Sequence, residues 1–323
     1  MRMLLVCLAV LLLVPSWAGT ERLPLYAGPP RVSATPVDLY PGDPARRRNG
    51  VLTYLGGVSL TASDPAFGGF SAVRVAGDRF TLLSDGGAVL RFRMGGDGQV
   101  RDTRVTELAG PGTGWEKRDR DTESLATLPD GDVLIGYERH NEIWRFDPAF
   151  RPVRHAAPRA MRRWSENGGP EAMATMPDGA VLVLSEAHGK KGRPGYSALR
   201  FPGDPTTPGI RPMPFRYKAP DGFRVTDAAA LPDGRLLVLT RRISIGEYFT
   251  ARLQIADVRA LRPGALVTGR TIARFEPPAL HDNFEGLAVV RDGDLLALWI
   301  VSDDNQSVTQ RTLLLKFALP LRP

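Results

Sequence analysis

Apolar stretches alternate with tight polar turns in one phrase that returns five times along the chain. The copies read Glu123-SLATLPDGDVLIGY-Glu138, Glu171-AMATMPDGAVLVLS-Glu186, Thr226-DAAALPDGRLLVLT-Arg241 and Glu285-GLAVVRDGDLLALW-Ile300, with a worn copy at Phe70-SAVRVAGDRFTLLS-Asp85. Each is two short apolar runs about a Pro-Asp-Gly-type turn, which predicts a β-hairpin. The first positions, 70, 123, 171, 226 and 285, set a repeat of 48 to 59 residues. One hairpin cannot bury its apolar faces alone, so repeats at this spacing predict stacked blades of a β-propeller. The hairpin supplies strands A and B of each blade. Later apolar runs supply C and D, as at Ala88–Met94 and Arg101–Leu108 in the first repeat. Glu142–Phe146 is strand C of the second repeat, and Arg252–Ile255 and Leu266–Phe275 are C and D of the fourth. The last repeat has A, B and C (Thr312–Phe317) and then runs out of chain. Val51–Leu60 is the spare strand, and joining it to the last blade closes the ring and removes an open sheet edge. The reading is all-β: a β-propeller of five four-stranded blades, with a sixth, degenerate blade as the alternative. An N-terminal strand closes the ring.

The segment ahead of the repeats divides in two. Arg2, the apolar run Leu4–Val14 and the small-x-small site Ser16-Trp17-Ala18 read as a signal peptide over residues 1–18. The alternative, an uncleaved anchor, is disfavoured because the run is shorter than the roughly 20 apolar residues that span a bilayer. Residues 19–50, rich in Pro, Gly and Arg, read as an irregular arm, and residues 51–323 as one propeller domain. The single cysteine, Cys7, lies inside the leader, so the mature chain is expected to lack disulfides and thiolate chemistry. The expected location is the periplasm or the exterior, with no membrane span in the mature chain. A formal charge of +7 suits a small anionic substrate. Apart from Arg46-Arg47-Arg48 the arginines are scattered, with no aromatic-interleaved RNA motif, so no nucleic-acid partner is expected. The sequence carries no oligomerisation signal.

In a propeller the start of strand A and the end of strand B share one face, and the Pro-Asp-Gly turns occupy the other. The functional face is thereby predicted to gather Glu123, Glu138, Glu171, Glu186, Asp85, Asp227 and Glu285, with Asp303 beside them; Phe70 and Thr226 interrupt the acidic series. Converging carboxylates repel one another unless a cation neutralises them, and an all-oxygen set suits Ca²⁺ or Mg²⁺. Glu123, Glu138, Glu171, Glu186 and Asp85 are the expected metal ligands. Glu123, Glu171, Glu285 and His140 are the expected catalytic groups. Arg139, Arg241, Arg242 and His188 are expected to hold the substrate, with Lys190 and Lys191 nearby. Such a rim suits metal-assisted hydrolysis of a phosphate ester. The competing reading pairs the same acids with Arg139, Arg241 and Arg242 as a purely structural network. No Gly-x-Ser-x-Gly elbow, His-Glu-x-x-His, Walker loop or dinucleotide fingerprint occurs.

Five segments carry a family resemblance. They are Asp64-Pro-Ala-Phe-Gly-Gly-Phe-Ser-Ala-Val73, Asp121-Thr-Glu-Ser-Leu-Ala126, Tyr137-Glu-Arg-His140, Asn167-Gly-Gly-Pro-Glu-Ala172 and Asp282-Asn-Phe-Glu-Gly-Leu287. As an ordered set, spanning roughly Leu52 to Leu319, the chain resembles the phytase-like proteins known as the "esterase-like activity of phytase" family. That resemblance implies a secreted or periplasmic propeller with phosphoesterase or esterase activity. Two other readings stay open: a non-catalytic propeller that binds an envelope partner or ligand, and a lactonase-like, calcium-dependent hydrolase.

Overall fold

A computed structural model of the protein describes residues 24–114, 116–188 and 194–320. The leader expected at 1–18 and the Lys190-Lys191 pair lie outside the described residues. After β1 (Val32–Pro36), β2 (Arg48–Asn49) and β3 (Leu52–Ala62), the first blade is β4 (Phe70–Ala76), β5 (Arg79–Ser84), β6 (Ala88–Met94) and β7 (Val100–Glu107). The second is β8 (Thr122–Thr127), β9 (Val133–Tyr137), β10 (Glu142–Phe146) and β11 (Pro152–Ala156). The third is β12 (Pro170–Thr175), β13 (Val181–His188), β14 (Tyr196–Phe201) and β15 (Met213–Lys218). The fourth takes β16 (Arg224–Ala230), β17 (Leu236–Ser244) and β18 (Tyr248–Ala256), skips β19 (Leu266–Thr268) and ends with β20 (Arg270–Phe275). The fifth is β21 (Phe284–Asp292), β22 (Leu295–Ser302) and β23 (Thr312–Leu319), completed by β3.

The innermost strands β4, β8, β12, β16 and β21 touch in that order, and β21 touches β4 again. The ring is therefore closed with five blades, by the N-terminal strand, as the hairpin repeat predicts. β1, within the Pro- and Gly-rich lead-in, pairs antiparallel with β3 and extends the outer edge of the fifth blade. The stretch read as one strand over Leu266–Phe275 is two. β19 pairs in parallel with β15 of the third blade, and only β20 belongs to the fourth. Among the described residues the only helix is one turn at Lys117–Arg120, and no helix is long and apolar enough to cross a membrane.

The core is five apolar clusters, one at each junction between neighbouring blades. Polar side chains add stitches across the same junctions. Thr122 Oγ1 donates to the Ser84 carbonyl at 2.5 Å, and Tyr196 Oη to the Phe223 carbonyl at 2.7 Å. Buried Asp227 accepts the amide of Leu287 at 2.7 Å, joining the fourth blade to the fifth. The Gly69 amide donates to Asp304 at 3.0 Å, joining the first blade to the fifth.

Candidate active site at the mouth of the channel

One local device repeats in every blade. The innermost strand slips register by one residue near its start, opposite the end of its partner strand. Such a β-bulge leaves one residue unpaired and re-aims its side chain. The skipped residues are Ser71, Glu123, Glu171, Thr226 and Glu285. The first-blade counterpart of Glu123 is therefore Ser71, not Phe70. Phe70 pairs with Ser84 in the ladder and is wholly buried in the apolar cluster with the fifth blade. The one-residue offset arises because the worn first repeat joins its strands by a two-residue turn, Gly77-Asp78, where the second, third and fourth repeats use five residues.

The facing strands carry a second ring of five, Asp85, Glu138, Glu186, Arg241 and Asp303, each directly after the partner of the residue that precedes the bulge. The two rings meet at the mouth. Asp121, Glu123 and Glu138 offer carboxylate oxygens that lie within 4.8 Å of one another, and so do Glu138, Glu171 and Glu186. Glu138 belongs to both groups. Asp121 lies two residues before the bulge, at the end of the single helical turn, outside a repeat that begins at the acid of strand A. Its place in the resemblance motif Asp121-Thr-Glu was the signal available.

The cations at the mouth are already engaged. Arg139 Nε donates to Asp121 at 2.8 Å, and Lys117 Nζ to Asp85 at 2.8 Å. Arg241 reaches Glu285 and Asn283 with one terminal nitrogen and Glu186 at 3.4 Å with the other. Among the described residues Glu123, Glu138 and Glu171 have no ion pair with a cation. The electrostatic result follows. Burial first, then Asp121, Glu138 and other nearby acids, hold the Glu123 carboxyl well above its ordinary value. Burial and then Asp121 push Glu138 up to about 8, and burial with Glu123 and Glu138 raises Glu171 strongly. The contact between Glu138 and Glu171 raises Glu171 further and opposes the rise at Glu138. Burial brings Glu285 to about 7 despite Arg241 beside it. Asp85 and Asp303 are raised chiefly by burial.

Other expected residues lie elsewhere. Asp227 follows the Thr226 bulge, and its carboxylate turns to the backbone of Ala228 and Leu287. Arg242 points away from the mouth, as strand alternation requires of the neighbour of Arg241. Its guanidinium pairs with Glu247 at 2.7 Å and lies over Phe223. His140 sits in the turn after Glu138 and faces Asp119 at 3.5 Å rather than either carboxylate group. His188 is the last residue of β13, paired in register with Tyr196.

An oxygen-only set of two three-carboxylate groups, in each of which only one member, Asp121 or Glu186, is ion-paired among the described residues, fits a hard divalent ion. Each group offers three carboxylates, leaving the rest of the six to eight ligands such an ion takes to come from elsewhere.

Comparison with known proteins gives the following. The chain is similar to virginiamycin B lyase from Staphylococcus aureus at 11% identity, with a TM-score of 0.43, over 89% of this chain and 99% of that one. It is similar to a gluconolactonase from Xanthomonas campestris at 14% identity, with a TM-score of 0.44, over 94% of this chain and 99% of that one. No curated protein matches it. The phytase-like family described as "Esterase-like activity of phytase" matches residues 65–306, which is most of the chain. By that match, which spans four blades and the acids of both rings, this chain belongs to the phytase-like family.

Proposed function

We propose that the chain is a metal-assisted hydrolase of anionic esters, phosphate esters foremost, working at the carboxylate mouth. The observation that carries this reading is that Glu123, Glu138 and Glu171 crowd together with no ion pair to a protein cation among the described residues, because Lys117, Arg139 and Arg241 are engaged by other acids. A structural network would have balanced them, as Arg241 balances Glu186 and Glu285. Asp121, Glu123, Glu138, Glu171 and Glu186 would hold Ca²⁺ or Mg²⁺, which supplies positive charge to polarise an ester oxygen and make water more acidic. The chain's own groups do the rest. Arg139 is held by its Nε, and its terminal nitrogens make no hydrogen bond among the described residues. They are free to bind an anionic oxygen at the rim. Glu285, near 7, is suited to take or return a proton at neutral pH, and Arg241 fixes its position. Ser71 and Thr226 replace acids at two of five bulges, one on each side of Glu285, so the only bulge acids on adjacent blades are Glu123 and Glu171. The apolar N-terminal run, outside the described residues, supports export to the periplasm or beyond.

The test is a panel of aryl phosphate monoesters, diesters, carboxylic esters and lactones, each with Ca²⁺ or Mg²⁺ and again after chelation. Turnover of a phosphate ester that disappears on chelation and returns with the ion is the expected result. Turnover indifferent to chelation rejects the proposal. Lactone opening alone selects the lactonase reading, and binding of the ion with no turnover on any substrate selects a non-catalytic module.

A further inference from the structure

The junction between the first and second blades carries a second charged site, of opposite sign to the mouth. Arg74 of β4, Thr81 of β5, Arg91 of β6 and Arg104 of β7 are successive cross-strand partners, one row across the whole blade. Arg79 and Arg93 stand in the next row on the same face. With Pro148 of the second blade they line a cavity of about 540 Å³, within the size range of small-ligand pockets. The corresponding position in the other four blades, three residues past the bulge, is Ala126, Ala174, Ala229 and Ala288. Those alanines pack into the apolar clusters that fill their junctions. Only the first blade puts an arginine there, and its junction has the smallest apolar cluster.

The arginines are not balanced from within. Arg93 pairs with Asp78 at 2.6 Å and, at 3.9 Å, with Asp102, the one acid in the lining, but among the described residues Arg74, Arg79, Arg91 and Arg104 have no ion pair with an acid. Arg91 Nη2 donates to Thr106 at 3.1 Å, whereas its Nε is buried with no hydrogen-bond partner. Its guanidinium is held over Phe150, with the carbon 5.4 Å from the ring centre. Burial, then the Arg104 charge, lowers the pKa of Arg91, and burial lowers that of Arg74. Desolvated like charges and an orphaned donor are costly unless an anion answers them.

We propose that this cleft binds a phosphate-class oxyanion between Arg74, Arg91 and Arg104. Planar guanidinium forks suit such an oxyanion, bound through paired N–H donors. The site draws on blade strands remote in sequence from the carboxylate groups, so it stands whether or not the mouth is catalytic.

The experiment is calorimetric titration of inorganic pyrophosphate into metal-free protein, with chloride at matched ionic strength as control. A parallel arm measures co-sedimentation with phosphatidylglycerol vesicles. Arg74→Ala installs the residue that the other blades carry, so it is expected to fold; Arg104→Ala removes an exposed side chain. Each is expected to weaken pyrophosphate binding about tenfold or more, while Arg242→Ala, an arginine of the fourth blade outside the cleft, leaves it unchanged. Vesicle binding lost with Arg74→Ala, without pyrophosphate binding, supports the site with a lipid headgroup as its source. Neither probe binding wild-type protein, or both variants binding like wild type, overturns the proposal.

Discussion

Glu138→Gln is expected to be the most damaging single substitution for cation binding and turnover, lowering turnover on the order of 10²–10³-fold. Glu138 is the one residue common to both carboxylate groups. Asp121→Asn and Glu186→Gln each disturb one group and are expected to cost less. Arg242→Ala, whose guanidinium pairs outward with Glu247, is expected to stay near wild type. Glu138→Gln also carries a signature that misfolding would not. It deletes a buried acid in a cluster of acids, so in chelator the variant should melt higher than wild type and gain less from added Ca²⁺. Turnover with and without Ca²⁺, measured beside melting temperature across these four variants, checks the order.

Raising the pH from about 5 to about 8.5 in chelator is expected to destabilise the protein by several kcal/mol, and added Ca²⁺ is expected to reverse the loss. The sign follows from the raised carboxyls. Between 4.5, its ordinary value, and about 8, native Glu138 keeps a proton that the unfolded chain has released. Stability from such a group is complete below the lower value and is lost as pH rises through the higher one. Glu285, raised from 4.5 to about 7, acts in the same direction. Glu138 alone amounts to on the order of 4 kcal/mol, or a fall of about 10 °C for a chain of this size. A divalent ion replaces those protons, so Ca²⁺ should raise the melting temperature strongly at the alkaline end and little at the acidic end. Melting curves over this range, with and without Ca²⁺, make the measurement.

The hairpin phrase made the blades, their number and the strand that closes the ring legible before any coordinates. The reason is physical: two apolar runs about a tight turn can bury their faces only against another copy. The acids of strands A and B were legible for the same cause, since strand direction puts those ends on one face. What escaped was register. A bulge inserts a residue without a compositional mark, so the first repeat was framed on Phe70 when Ser71 holds the position. Strand direction alone puts Asp227 in the ring, but the bulge one residue earlier turns it to the neighbouring backbone. Strand alternation alone separates Arg241 from Arg242. Lys117 and Asp121 come from the loop between blades, where no periodicity guides the eye. The arginine row of the first blade was invisible because its members come from four strands and meet only by pairing.

The carboxyls of Glu123, Glu138 and Glu171, which no ion pair balances among the described residues, are proposed to hold a divalent cation. Calorimetric titration of Ca²⁺ at slightly alkaline pH, in two buffers of different ionisation enthalpy, tests it most directly. The prediction is saturable binding accompanied by proton release, both lost in Glu138→Gln. Absence of binding, or binding that releases no protons and survives that substitution, would contradict it.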